Sequence, residues 1–324
     1  MTAIAERGVT MRRLALVLAV AALLVGCGGG DDDHHGAAPT PTPIMGEEES
    51  PFDLDLALEL GRLCLQSYQM LIDFDDGTPF SLPAPYTLQQ EYLTAEHYPG
   101  EAGSRAVPIA FVATRDAAIY VVFRGTKTIS EWISDATFTQ VPFAPVGGEA
   151  KTETGFTLIY QSINAAIIEE VNALAAAGSY TELYVTGHSL GASLATLATA
   201  DLARATRFDA PLLYNFASPR TGNPAFAAAV DDLPTSWRIA NTNDEVPKVP
   251  PVVTIVFNGD KPELFFYDHI DSEYAVTFGM PIHSIADLEE NHAMCNYYAT
   301  LCDQTSDPAM CQAMADGADG CDPS

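Results

Sequence analysis

The run 185–195, VTGHSLGASLA, places Ser189 between two glycines, after an apolar stretch and before one built from alanine and leucine. A serine hydroxyl is a weak nucleophile until a neighbouring base takes its proton and a third group orients that base. The spacing G-x-S-x-G alone says little: ordinary Gly and Ser usage yields it in roughly one chain in ten of this length. The flanking elements therefore decide. A strand that turns directly into a helix forces its serine into a strained backbone at the sheet edge, and small neighbours let the helix approach closely. The same turn sets the hydroxyl at a helix N-terminus, where backbone N–H groups and the helix dipole favour a developing anion.

Where a nucleophilic serine sits on such a turn, the acid and then the histidine follow it along the chain. The segment ANTNDEVPKVPP offers Asp244 just past the strand-like SWRIANTN, with Glu245, Asp260 and Asp268 as further carboxylates. Three histidines follow: His269 in an aromatic strand-like run, His283 in PIHSIADL, and His292 in EENHAMCNYY. Position favours His292 over His283, because His292 opens the expected last helix and a loop can return it to the sheet edge.

These groups need a frame. Helical apolar spacing covers 53–71, with Gly61 its one breaker. VPIAFVAT (107–114) and AAIYVVFRG (117–125) read as a strand pair. Residues 154–178 read as one long amphipathic helix closed by glycine, and HAMCNYYATLC as the closing helix. TELYVTG, PLLYNFAS and TSWRIANTND read as buried strands, LGASLATLATADLARA as a helix, and VVTIVFNG with PELFFYD as a hairpin. Strands alternating with helices predict an α/β fold: a mostly parallel central sheet with helices on both faces, its active residues at the C-terminal strand ends.

The chain has 324 residues, 15 Lys+Arg against 43 Asp+Glu, and a net charge of −28. Such a surface repels nucleic acid and gains little from anionic headgroups, so it suits neutral substrates. Residues 11–27, MRRLALVLAVAALLVGC, have the layout of an export signal, with an apolar run too short to span a bilayer comfortably. The LVGC ending resembles the bacterial lipoprotein signal, in which Cys27 is lipidated and anchors the chain to a membrane surface of the cell envelope. The expected organisation is a signal peptide at 1–26, a disordered tether at 27–50 and one domain at 51–324. His34 and His35 belong to the solvated tether rather than to a metal site. Of six cysteines, Cys295, Cys302, Cys311 and Cys321 crowd the C-terminus and suggest disulfides, while Cys64 stands alone. No metal or cofactor is required; DFDDG (73–77) lacks the remaining ligands of a calcium loop.

Taken in order, VVFRGTKTISEWISD, TGF, VTGHSLGASLA, FASPRTGN, NTNDEVPKVPP and NHAMCNYY resemble the class 3 lipase family, fungal-lipase-like α/β hydrolases, across roughly 55–301. The resemblance implies that Ser189 is the nucleophile, Asp244 the acid and His292 the base. It implies that Thr126, after the FRG glycine, and the Leu190 N–H form the oxyanion hole, with Asp135 holding the Thr126 hydroxyl. It further implies a lid after Thr126, and there Ile129, Trp132 and Ile133 fall at helical spacing on one apolar face. The implied activity is hydrolysis of a neutral lipid or other acyl ester, most simply as a triacylglycerol lipase. A phospholipase or a short-chain or feruloyl-type esterase is the alternative, and a non-catalytic surface lipoprotein the alternative of another class. The family pattern does not extend to the tether, the acidity or the four-cysteine tail.

Overall fold

Apolar runs of five to seven residues pair into a sheet while the alanine- and leucine-rich segments between them coil and cover it. The computed structural model describes residues 51–97, 104–126, 138–233, 236–270 and 272–314, all within the unit Glu47–Ser324. In chain order these residues form α1 (Leu54–Asp76), β1 (Thr87–His97), β2 (Ser104–Arg115), β3 (Ala118–Phe123), β4 (Gln140–Pro142) and β5 (Lys151–Glu153). Then come α2 (Thr154–Gln161), α3 (Asn164–Ala177), β6 (Glu182–His188), α4 (Leu190–Ala205), β7 (Leu212–Phe216), α5 (Pro224–Asp231) and β8 (Ser236–Asn241). After a 3-10 turn (Val246–Lys248) follow β9 (Val253–Asn258), β10 (Lys261–Phe266), β11 (Glu273–Val276), α6 (Ile285–His292), α7 (Met294–Cys302) and α8 (Pro308–Ala313).

Seven strands make the main sheet in the order β1-β2-β3-β6-β7-β8-β11. β1, β2 and β3 pair antiparallel, whereas β3 through β11 pair parallel. Every residue of β3 is buried, and its side chains alternate between two cores. Ile119, Val121 and Phe123 pack with α2 to α5, while Ala118, Tyr120 and Val122 pack with α1 and α7. A strand covered on both faces needs no polar side, which is why this run reads as continuously apolar. α4 is buried from Leu190 through Leu202, so its alanines permit close approach to the sheet and its leucines fill the remaining volume.

Two expectations change. Residues 154–178 are two helices, not one: the chain turns at Ser162 and Ile163, where Ser162 Oγ bonds the Ile159 carbonyl at 2.6 Å and faces Thr94 Oγ1 at 3.0 Å. A side chain that satisfies the backbone locally competes with the helix. His292 does not open the last helix. It ends α6, and Ala293 at φ −62, ψ 128 separates it from α7. β1, α5, β11 and α6 were not distinguished by pattern. α1 runs on to Asp76, and Asp53 caps it by accepting from Leu56 N–H. Cys302 and Cys311 form a disulfide, Cys295 is also disulfide-bonded, and Cys64 is a buried thiol pushed by burial up to about 12.

Candidate active site

β6 ends at His188 and α4 begins at Leu190, so Ser189 alone makes the turn, at φ 60 and ψ −127. A side chain in that region is strained and persists only where its surroundings fix it. The fixing here is steric. A Cβ at Gly187 would overlap the Gly191 carbonyl, and one at Gly191 would overlap the Phe123 carbonyl, so the two glycines let helix and strands close around the serine. Ser189 N–H donates to the Phe216 carbonyl at 3.0 Å. Leu190 is the first residue of α4, whose opening N–H groups have no acceptor within the helix.

Thr126 follows β3 in the adjoining loop. A Cβ built on its neighbour Gly125 would lie 3.1 Å from Ser189 Cβ, which measures how closely the loop passes the serine. The buried Arg124 guanidinium holds the loop by donating to the Pro108 carbonyl at 2.9 Å and to the Gly125 carbonyl. Thr126 Oγ1, Ser189 Oγ and His292 Nε2 are all buried, and none has a hydrogen-bond partner. Buried polar atoms are ordinarily paired, and leaving one unpaired costs about 1–3 kcal/mol, so three in one region mark a place where something else is to be bound.

Asp244 lies past the end of β8 and is fully buried. One carboxylate oxygen receives His292 Nδ1 at 2.8 Å and the Tyr297 hydroxyl at 2.9 Å; the other accepts Val246 N–H at 2.9 Å. A carboxylate only accepts, so the imidazole carries its proton on Nδ1 and presents a lone pair at Nε2. Asparagines lock the two segments together: Asn241 Nδ2 donates to the Asn291 carbonyl at 2.9 Å, and Asn291 Nδ2 to the Asn243 carbonyl at 3.2 Å.

His188 joins the serine turn to His292. Its Nε2 lies 2.8 Å from the His292 backbone carbonyl and its Nδ1 2.6 Å from the Tyr68 hydroxyl. The carbonyl can only accept, so Nε2 holds the proton and Nδ1 accepts from Tyr68. Burial, with His292 beside it, keeps the His188 pKa well below the usual histidine value. The ring is neutral and has both nitrogens engaged.

The structure thus gathers Ser189, Leu190, Thr126, Asp244 and His292 about the C-terminal edge of the parallel strands. The other candidates lie apart. His283 is exposed and turns Nδ1 to the Pro281 carbonyl. His269 bonds the Pro247 carbonyl at 2.6 Å, and burial holds its pKa down to about 3. Asp268 bridges to Gly222, Glu245 pairs with Lys248, and Asp260 sits at the tip of the β9–β10 hairpin. Ile129, Trp132, Ile133, Asp135, Cys27, His34 and His35 lie outside the described residues. Tyr68, Asn241, Asn291 and Tyr297 were not singled out by sequence; only Tyr297 carried a signal, lying five residues after His292 in a tyrosine-bearing helix.

Residues 120–254 match the family model described as Lipase (class 3). The secreted mono- and diacylglycerol lipase A of Penicillium cyclopium is 35% identical over 162 residues, covering 50% of this chain and 49% of that protein. Phospholipase A1-II 7 of Oryza sativa subsp. indica is 32% identical over 206 residues, covering 53% and 50%. The solved structure of Rhizomucor miehei triacylglyceride lipase superposes with a TM-score of 0.53 at 25% identity, covering 68% of this chain and 79% of that one. The chain spans about half the length of the curated relatives it matches. The strand–serine–helix turn of VTGHSLGASLA and the Asp244 segment both lie inside the region that matches the class 3 lipase model.

Proposed function

We infer that this protein is a serine carboxylic ester hydrolase acting on acylglycerols. What carries the reading is the set of unpartnered atoms at one sheet edge, Ser189 Oγ, His292 Nε2 and Thr126 Oγ1, behind which His292 is bonded to a buried carboxylate. In the first half-reaction the Ser189 proton passes to His292 Nε2 as Oγ bonds the ester carbonyl carbon. The carbonyl oxygen takes the charge and receives Thr126 and the Leu190 N–H. Asp244 stabilises the imidazolium without taking its proton. The intermediate collapses, the alcohol leaves with the proton from His292, and the acyl group stays on Ser189. Water then repeats the sequence and releases the acid. Each oxyanion donor contributes about 3–4 kcal/mol to the transition state.

The glyceride substrate is supported by the mono- and diacylglycerol lipase relative and by the acidity of the chain, which disfavours anionic headgroups. Hydrolysis of a phospholipid acyl ester is the second reading, favoured by the Oryza sativa phospholipase relative. Export fits the secreted relative, and anchoring through a lipidated Cys27 fits the LVGC signal. Ile129, Trp132 and Ile133 as a lid face complete the proposal. Hydrolysis of p-nitrophenyl esters from C2 to C16 and of trioctanoin tests it. Wild type should prefer the longer chains and Ser189→Ala should lose the activity. Equal rates from the two proteins overturn the reading, and a preference for phosphatidylcholine over glycerides transfers it to the second.

A further inference from the structure

The β9–β10 hairpin forms a two-stranded sheet of its own, apart from the seven-stranded one. Its antiparallel register sets Val253 opposite Phe266, Ile255 opposite Leu264, and Phe257 opposite Pro262. Side chains two apart on a strand share a face, so these three cross-strand pairs lie on one side of the ribbon. Val253, Ile255, Phe257, Leu264 and Phe266 are 48–60% exposed. An antiparallel ribbon ordinarily turns its apolar side inward. Here the fully apolar side faces out, and the charged groups are elsewhere: Asp260 and Lys261 at the tip, Glu263 opposite Val256 on the other side.

The base of the hairpin is fastened around the active site. Arg220 donates to the Lys248 and Pro250 carbonyls, which fixes the segment leading from Asp244 into β9. Gln140 donates to the Phe266 carbonyl at 2.7 Å, and the Tyr267 hydroxyl to the Phe138 carbonyl at 2.9 Å. The ribbon therefore stands on the acid-bearing loop on one side and on the stretch entering β4 on the other.

The geometry points to this face as a docking surface for uncharged, aggregated acyl ester: the β9–β10 ribbon sets the enzyme on the surface of a neutral lipid droplet. The inference rests on the ester hydrolase reading above. Charge selects the occupant. The face carries no charge, whereas the chain as a whole carries −28, which opposes both a second copy and an anionic bilayer. An uncharged hydrocarbon surface has neither penalty, and apolar side chains already half clear of the protein enter it readily.

The test uses the mature chain exported behind an ordinary signal, so that no acyl anchor contributes. Ile255→Thr with Leu264→Thr, and separately Phe257→Thr, keep strand-forming residues on the ribbon. Co-flotation with trioctanoin droplets should fall about tenfold or more in the double variant, with a matching loss of droplet hydrolysis. Hydrolysis of dissolved p-nitrophenyl acetate should be unchanged, which also reports folding. Ser189→Ala should bind droplets as the parent does; if it does so while the parent hydrolyses nothing, the hydrolase reading fails and the surface stands. Unchanged flotation of both ribbon variants overturns the inference. So does tighter binding to phosphatidylglycerol vesicles than to droplets, or a parent dimer that the variants dissociate.

Discussion

Replacing Thr126 by valine should weaken catalysis and leave the fold as stable or more so. The two side chains have nearly the same shape, so the change deletes a hydroxyl and little else. In the structure that hydroxyl is buried and bonded to nothing. Holding it there costs about 1–3 kcal/mol, and a methyl group in its place removes that cost. Because Thr126 itself is only half-buried, the gain should fall at the lower end, about 1 kcal/mol, or roughly 2–4 °C in Tm for a domain of this size. Catalysis moves the other way. On the proposed mechanism the hydroxyl meets negative charge only as the ester carbonyl becomes tetrahedral, so its loss should raise the barrier by about 3 kcal/mol, near a hundredfold in rate.

The kinetic signature separates this from a binding defect. An interaction made only in the transition state lowers kcat and kcat/KM together and leaves KM in place. Steady-state hydrolysis of dissolved p-nitrophenyl butyrate measures the first, and urea unfolding the second. Thr126→Ser keeps the hydroxyl and should restore most of the rate. A valine variant within threefold of wild-type kcat, or one destabilised by more than about 1 kcal/mol, contradicts the assignment, because the hydroxyl would then serve the fold rather than the reaction.

The remaining expectations concern the groups behind the site. Tyr68→Phe leaves His188 Nδ1 buried without a donor and should cost about 1–3 kcal/mol in urea unfolding; unchanged stability would show that the 2.6 Å contact contributes nothing. Tyr297→Phe strips Asp244 of one donor and orphans Asn241 N–H, which the same hydroxyl accepts at 2.8 Å. It should lose about 2–4 kcal/mol and lower kcat on a soluble ester, and full activity at full stability would refute the paired role. His188 and His269 have pKa values held below the unfolded value of 6.5, His269 at about 3. The unfolded chain therefore binds more protons than the folded one in the window below pH 6.5, and each ring removes up to about 1.4 kcal/mol of stability per pH unit as acid is added. His269→Gln should flatten its share between pH 6.5 and 5, and parallel curves for parent and variant would show that the ring is protonated in the fold.

What could be read ahead of the structure was local. α4 runs from Leu190 to Ala205, the bounds that the alanine- and leucine-rich stretch marks after Gly187 and Ser189. Strand, turn and helix there are encoded by neighbouring residues, so a pattern of a dozen positions suffices. The hairpin was legible for the same reason, since Gly259 and Asp260 form a turn between two β-branched and aromatic runs. Tyr68 was not legible. It meets His188 across 120 positions, and a hydrogen bond between distant elements leaves no periodicity in either one. β1 and β11, the two edge strands, lack the unbroken apolar run that marks a strand buried on both faces.

The break at Ala293 has a different cause. Nothing in NHAMCNYY stops a helix, and alanine is its best former. In an unbroken helix the His292 carbonyl would be taken by Asn296 N–H. Here Asn296 N–H goes to the Ala293 carbonyl, and the His292 carbonyl instead accepts from His188. The lost intrahelical bond is exchanged for one to the residue preceding the serine. That exchange ties the backbone of His292 to the turn of Ser189, while its ring is tied to Asp244. A helix that ran on through Ala293 would keep its own hydrogen bond and give up this fastening. The kink thus belongs to the candidate active site, and tertiary bonding, not local propensity, sets it.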